Sequence, residues 1–275
     1  MLRQARSKSP SWAIGSFNRL WRGAGIFSLS ASFEVVNTST ITFTIGSEPP
    51  VIVIREARFE GLTHGVYAAN NANLETYTVR DAIFEDNIYG IQNEGVNLSS
   101  IRDNTFIVGA NTATTSPYNP PNGQYIHKGI ILANCTGYEV HFNSFNANGP
   151  TNPAPSDPRT TGIEANNAGY ADNVITHNDF INYEYANRSN CYNRNENGAV
   201  GLAYLCNTNQ ENQHDFYIDA NTNYCDDEVF PGWELGIRRE QGSISEAAGN
   251  TFTPAISWFY GQNIRNWPPM SDINY

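Results

Sequence analysis

Tyr118, Tyr125, Tyr183, Tyr185 and Tyr192 lie in polar stretches rich in Asn, Pro and Thr. Tyrosine in such company offers flat apolar contact beside a hydroxyl, a combination suited to sugar rings. The densest acidic run, Asp226-Asp227-Glu228, precedes Arg238-Arg239. Its carboxylates could hold Ca2+, and Asp226, Asp227 and Arg238 are the candidate catalytic groups; a solvated acidic loop is the plainer reading. The histidines (64, 127, 141, 177 and 214) form no HExxH or triad-like pattern. No other metal or cofactor site emerges.

The elements that must position these groups are marked by a repeat. A branched aliphatic residue is followed five positions later by Phe, at Ile54/Phe59, Val79/Phe84, Ile101/Phe106, Val140/Phe145 and Ile175/Phe180. A Gly-aliphatic pair follows each: Gly65-Val66, Gly90-Ile91, Gly129-Ile130, Gly162-Ile163 and Gly201-Leu202. Without insertions the unit is 22 to 25 residues long, a period that indicates a solenoid. Its apolar residues come in short β-branched or aromatic pieces broken by Gly, Asn, Asp and Thr, which reads as strands and turns. The expected fold is all-β, a right-handed parallel β-helix of about five or six coils. Asn104, Asn143, Asn178 and Asn250 stand two places before Phe. They are expected to stack as a ladder and to supply the left-handed backbone of a tight corner.

Measured against the six-residue Phe-to-Gly step of the first two coils, three coils carry insertions of 17, 11 and 15 residues. Equal phase implies one side of the solenoid, and loops gathered on one face often bind ligands. The five tyrosines fall in these loops. Two further columns have plainer readings. Arg55, Arg80, Arg102 and His141 share a phase, but each arginine is followed by an acid that would neutralise it. Glu60 and Glu85, one coil apart, match a retaining glycosidase pair in spacing, yet like-phase acids arise easily in repeats.

The net charge is −11; residues 1–25 hold five basic residues and no acid, which leaves −16 on the rest. Such a body does not suit nucleic acid, which demands a basic face. No stretch is long and apolar enough to span a bilayer. The basic segment 1–25 reads as poorly ordered and is not a finished signal peptide, so an export signal would be missing or the start misassigned. Residues 26–255 read as the capped β-helix domain and 256–275 as an extension. Cys135 and Cys206 follow the Gly of coils two spacings apart, about 10 Å and beyond disulfide reach, so Cys191–Cys225 is the pairing expected if a disulfide exists; buried free thiols are the alternative.

Phrases such as Ile101-Arg-Asp-Asn-Thr-Phe106 and Val140-His-Phe-Asn-Ser-Phe145 resemble β-helix repeats of the pectate-lyase-like superfamily. Gly201-Leu-Ala-Tyr-Leu-Cys-Asn-Thr-Asn209 and Gln241-Gly-Ser-Ile-Ser-Glu-Ala-Ala-Gly-Asn-Thr-Phe252 resemble secreted β-helix proteins of Bacteroidota. The resemblance covers about residues 50–255 and implies a fold more firmly than an activity. Of the segments that mark polygalacturonase-like hydrolases, only the Asp226-Asp227 pair is present; Arg238-Arg239 is the nearest likeness to a pectate-lyase base. The expectation is a non-enzymatic, extracellular or cell-surface scaffold or glycan-binding protein, whose partner would be a polysaccharide or cell-surface glycan. Alternatives are a lyase or hydrolase acting on acidic polysaccharide, or a module of a larger adhesin.

Overall fold

In the computed structural model each uninterrupted repeat folds into three short strands. The residues described are 24–29, 32–36, 39–43, 51–55, 57–69, 76–109, 126–148, 159–169, 171–195, 197–219, 236–242, 248–252 and 264–267. One repeat runs Tyr77–Arg80, Ala82–Glu85, Tyr89–Glu94, and the next begins at Ser100–Arg102. Outside one hairpin, every described strand pairs in parallel with its counterpart one turn along. The result is three parallel sheets, of six, seven and eight strands, visited in that order. Among the described residues, six turns contribute a strand to all three. Ala24–Leu29 stands before them, and Thr251–Phe252 and Ile264–Trp267 stand after them, the last within the expected C-terminal extension. This is a parallel β-helix.

Stacked columns fill its interior. Phe59, Phe84, Phe106, Phe145 and Phe180 lie in register along the seven-stranded sheet. Their rings stack at 4.9, 4.8, 4.6 and 4.7 Å. Such a pair contributes about 0.5–1.5 kcal/mol beyond its buried area. The aliphatic column in the six-stranded sheet runs Val35, Val79, Ile101, Val140, Ile175 and then Tyr204. Glycine is required where the eight-stranded sheet passes beneath the rings. A Cβ on Gly129 would meet Gly162 O at 2.7 Å and the Phe145 ring at 2.9 Å.

Two repeat phrases are corrected. Ile54 pairs antiparallel with Thr40 in a hairpin of Ser39–Phe43 and Val51–Arg55, and Val35 takes its place in the column. Arg55 therefore leaves the arginine stack. Gly201-Leu202 leaves the glycine column, because Leu202 pairs with Asn173 in the six-stranded sheet. The fifth turn fills the glycine and aliphatic places with Ala186 and Asn187, six residues after Phe180. Only the insertions after Phe106 and Phe145 enter between the seven- and eight-stranded sheets; the third joins Asn190 to Leu202 at another corner.

The asparagine ladder forms and gains one member. Asn143, Asn178, Asn207 and Asn250 each accept at Oδ1 from the backbone N–H of the ladder residue one turn before, at 2.9–3.0 Å. Each also accepts from that residue's Nδ2, at 2.9–3.2 Å. Left-handed backbone falls one place earlier than expected, on Asp81, Asp103, Phe142, His177 and Cys206. The ladder asparagines serve hydrogen bonding instead, satisfying buried backbone groups at the corner.

Charged columns are neutralised locally. Arg80 lies 3.6 Å from both Glu34 and Asp81, and Arg102 donates to Asp103 at 2.9 Å. Glu60 and Glu85 are in register, and Arg58 pairs with both. Cys191 is disulfide-bonded, while Cys135 and Cys206 are free. Cys225 lies outside the described residues. Burial pushes the Cys135 thiol up to about 12, so it stays protonated and unreactive in the folded protein. Of the chain's four cysteines, alkylation of denatured, unreduced protein is expected to modify two. Reduction should expose the remaining pair, and more than two reactive thiols without reductant would remove the disulfide.

Candidate functional site: the outer face of the eight-stranded sheet

Along the eight-stranded sheet, Val66, Ile91, Ile130 and Ile163 point inward and are fully buried. The residues one place after them point outward, as do those one place before each column glycine. The first outward row is His64, Tyr89, Lys128, Thr161, Tyr185 and His214. The second runs Phe27, Tyr67, Gln92, Ile131, Glu164, Arg188 and Tyr217. At about 4.8 Å per strand, six strands span roughly 24 Å. The repeat thus displays polar and aromatic side chains along this surface, with Thr161 and His214 covered, at 0 % and 3 % exposed.

A diagonal of alternating charge crosses this face. Lys128 Nζ donates to Glu164 Oε1 at 2.7 Å; Arg188 stands 3.6 Å from Glu164 Oε2 and 3.7 Å from Asp219 Oδ2. The four side chains are only 10–25 % exposed. Rings hold Arg188 in place: its guanidinium carbon lies 5.7 Å from the centroids of Tyr185 and Tyr217. Tyr185 stacks on His214 at 5.3 Å and meets Tyr217 edge-on at 5.0 Å. Cation–π contact of this kind fixes a guanidinium without spending its hydrogen bonds.

The other end of the face is a hydrogen-bonded network around Glu94. Tyr67 donates to Glu94 at 2.7 Å, Gln92 donates to Glu94 at 2.7 Å, and His64 bonds Gln92 at 3.0 Å. Burial pushes the Tyr67 hydroxyl up to about 12, helped by its bond to Glu94 and by that carboxylate's charge. Tyr89 is raised by burial and then by Glu164. Burial lowers His64, against the opposing pull of Gln92 and Glu94. At neutral pH His64, Tyr67 and Tyr89 are therefore uncharged donors and acceptors. Phe27 stacks on Tyr67 at 5.2 Å and is 63 % exposed, extending the surface with an apolar ring. Among the described residues, no group of three or more His, Cys, Asp or Glu could hold a metal ion.

The expected site residues divide. Tyr185 stands at the centre of the face. Tyr183, two residues earlier, turns into the core against Phe180, edge-on at 6.5 Å and 1 % exposed, leaving no ring surface for a ligand. Tyr192 is buried too, at 8 %. Arg238 donates to the carbonyls of Glu240 and Gln241, which ties it to its own turn. Tyr118, Tyr125, Asp226 and Asp227 lie outside the described residues. The groups not anticipated are Tyr67, Tyr89, Lys128, Glu164, Arg188 and Tyr217. A readable signal existed for four of them: Tyr89 and Lys128 precede column glycines, and Tyr67 and Glu164 follow the aliphatic partners. Comparison with family models, curated proteins and solved structures gives no match for this chain.

Proposed function

We propose that the protein is a non-enzymatic, extracytoplasmic glycan-binding β-helix that presents the outer face of its eight-stranded sheet to the ligand. The observation that carries the reading is the joining of the Tyr185 and Tyr217 rings, backed by the buried His214, to a fixed Lys128–Glu164–Arg188–Asp219 chain on one surface. Aromatic edges and pre-positioned donors and acceptors are what binding a polyhydroxyl chain requires. The disulfide at Cys191 supports an oxidising compartment. The resemblance of the sequence phrases to pectate-lyase-like repeats and secreted Bacteroidota proteins accords with that placement. For the polysaccharide-cleaving alternative the chain's features offer less: Lys128, the lysine on the face, is held by Glu164.

The test is electrophoresis through native gels containing dissolved polysaccharides, comparing the protein with a Tyr185→Ala, Tyr217→Ala double variant. At about 0.5–1.5 kcal/mol per ring contact, the double variant should bind roughly tenfold more weakly. Its melting transition should remain cooperative, since both residues are only half-buried. Undiminished binding by the folded double variant would place the ligand elsewhere.

A further inference from the structure

We infer that the protein carries a second sugar-binding position, at Phe142 on the corner between the six- and seven-stranded sheets, where one pyranose ring of a glycan stacks on the exposed phenyl ring. The inference rests on the glycan-binding reading and goes beyond it, because this corner lies across the coil from the eight-stranded sheet.

Five successive turns pass this corner with one residue in left-handed backbone: Asp81, Asp103, Phe142, His177 and Cys206, at φ 53–56°. Asp and His are among the types that accept this conformation readily, whereas a bulky residue there is an outlier. Phe142 gains little burial in return. It is 55 % exposed, and the core beneath it is already filled by Val140, Asn143 and Phe145, each at most 2 % exposed. Leu98, the other apolar side chain exposed from such backbone among the described residues, is laid over Gly137 of the next turn. Phe142 instead has imidazoles for neighbours. The ring centroids of His141 and His177 lie 5.3 and 5.0 Å from its own, tilted by 49° and 32°. An exposed apolar ring on unfavourable backbone works against stability twice, and such a residue is a mark of function rather than of folding.

The surroundings of the ring fit a sugar. Thr176 Oγ1 bonds His177 Nδ1 at 2.9 Å, so Nε2 is the nitrogen left to meet a ligand hydroxyl. Ser144 and Asp179 stand in register on adjacent strands, both exposed, and add a hydroxyl and a carboxylate. The patch is one ring wide. A stable protein partner buries about 800 Å2 on each side, several times the roughly 150–250 Å2 of one aromatic side chain. A pyranose matches the smaller scale: it lays an apolar face on the ring and turns hydroxyls at its edge toward the polar groups beside it.

The experiment compares the full chain, a Phe142→Asn variant and the Tyr185→Ala, Tyr217→Ala double variant in native gels containing galactomannan, xyloglucan, polygalacturonate or alginate, and records each protein's melting temperature. On a polymer that retards the parent, Phe142→Asn is expected to raise the apparent Kd about two- to tenfold. It should nevertheless melt no lower than the parent, because asparagine accepts left-handed backbone. Weaker binding without loss of stability is what a ligand contact produces and a packing role does not. A lower melting temperature, whatever the binding, would make the ring structural and overturn the inference. Retardation that Phe142→Asn leaves intact would remove this second position alone, with the glycan reading still standing. No retardation of the parent by any polymer would overturn both. Binding weakened by Phe142→Asn and untouched by the double variant would support the corner position and move the main contact to it.

Discussion

Gly129→Ala is expected to destabilise the protein by about 3 kcal/mol, the upper part of the usual range for overpacking a core. The new methyl would stand 2.7 Å from the Gly162 carbonyl oxygen and 2.9–3.0 Å from the Phe145 ring. Neither neighbour can yield alone. The oxygen belongs to the next strand of the sheet, and the ring is clamped between Phe106 and Phe180 at 4.6 and 4.7 Å. The chain itself contains the compensated form of this substitution. Where the glycine column changes to Ala186, the phenylalanine column changes one turn later to Asn209, which is in register with Phe180. Each column glycine faces the ring of the next turn, so a smaller group replaces the ring at the position the new methyl faces. Asn209→Phe alone should therefore destabilise, and Asn209→Phe with Ala186→Gly should recover much of the loss. Urea denaturation midpoints for the parent and these variants measure both effects. An unchanged midpoint for Gly129→Ala would mean that the columns are not in contact.

That exchange also explains which parts of the fold could be read from sequence. An inward column needs nearly the same side chain every turn, because each ring or amide packs on its own copy. The Phe column and the ladder of Asn104, Asn143 and Asn178 repeat visibly for this reason. The pattern breaks where two columns change together: Ala186-Asn187 and Asn209 carry none of the repeat's marks, so in the sequence Gly201 stands in for the missing glycine and Asn207 has no Phe two places on to mark it. Ile54 misled differently. It sits five residues before Phe59 by coincidence, within a β-branched run that pairs as a hairpin. The candidate site was less legible because an outward row has no reason to repeat. His64, Tyr89, Lys128, Thr161, Tyr185 and His214 share one register position and little chemistry. Tyr183 and Tyr185 read alike in sequence, yet the first lies in the turn and folds inward while the second begins a strand and faces out.

Asp215→Asn is expected to stabilise the protein above about pH 7 and to flatten its stability between about pH 4 and pH 7. Asp215 occupies the glycine column one turn beyond Ala186 and is 1 % exposed. Burial raises its pKa from 3.8 to about 7, against the opposing effect of the hydrogen bond it accepts from Asn212 Nδ2 at 2.9 Å. A carboxyl group whose folded pKa lies above its unfolded value binds its proton more tightly in the folded state. Its ionisation therefore withdraws stability as pH rises from about 4, and the loss is complete above about pH 7. Three pKa units correspond to at most roughly 4 kcal/mol. An asparagine in the same place can still accept from Asn212 and has nothing to ionise. The chain's other acids contribute their own pH dependence, but they are common to both proteins and cancel in the difference. Urea midpoints across this pH range should diverge as pH rises, with the variant the more stable. Parallel curves would mean that the ionised carboxylate is accommodated without cost. Divergence would show an acid whose ionisation the core opposes, immediately beside His214, whose ring stacks on Tyr185 at the centre of the proposed binding face.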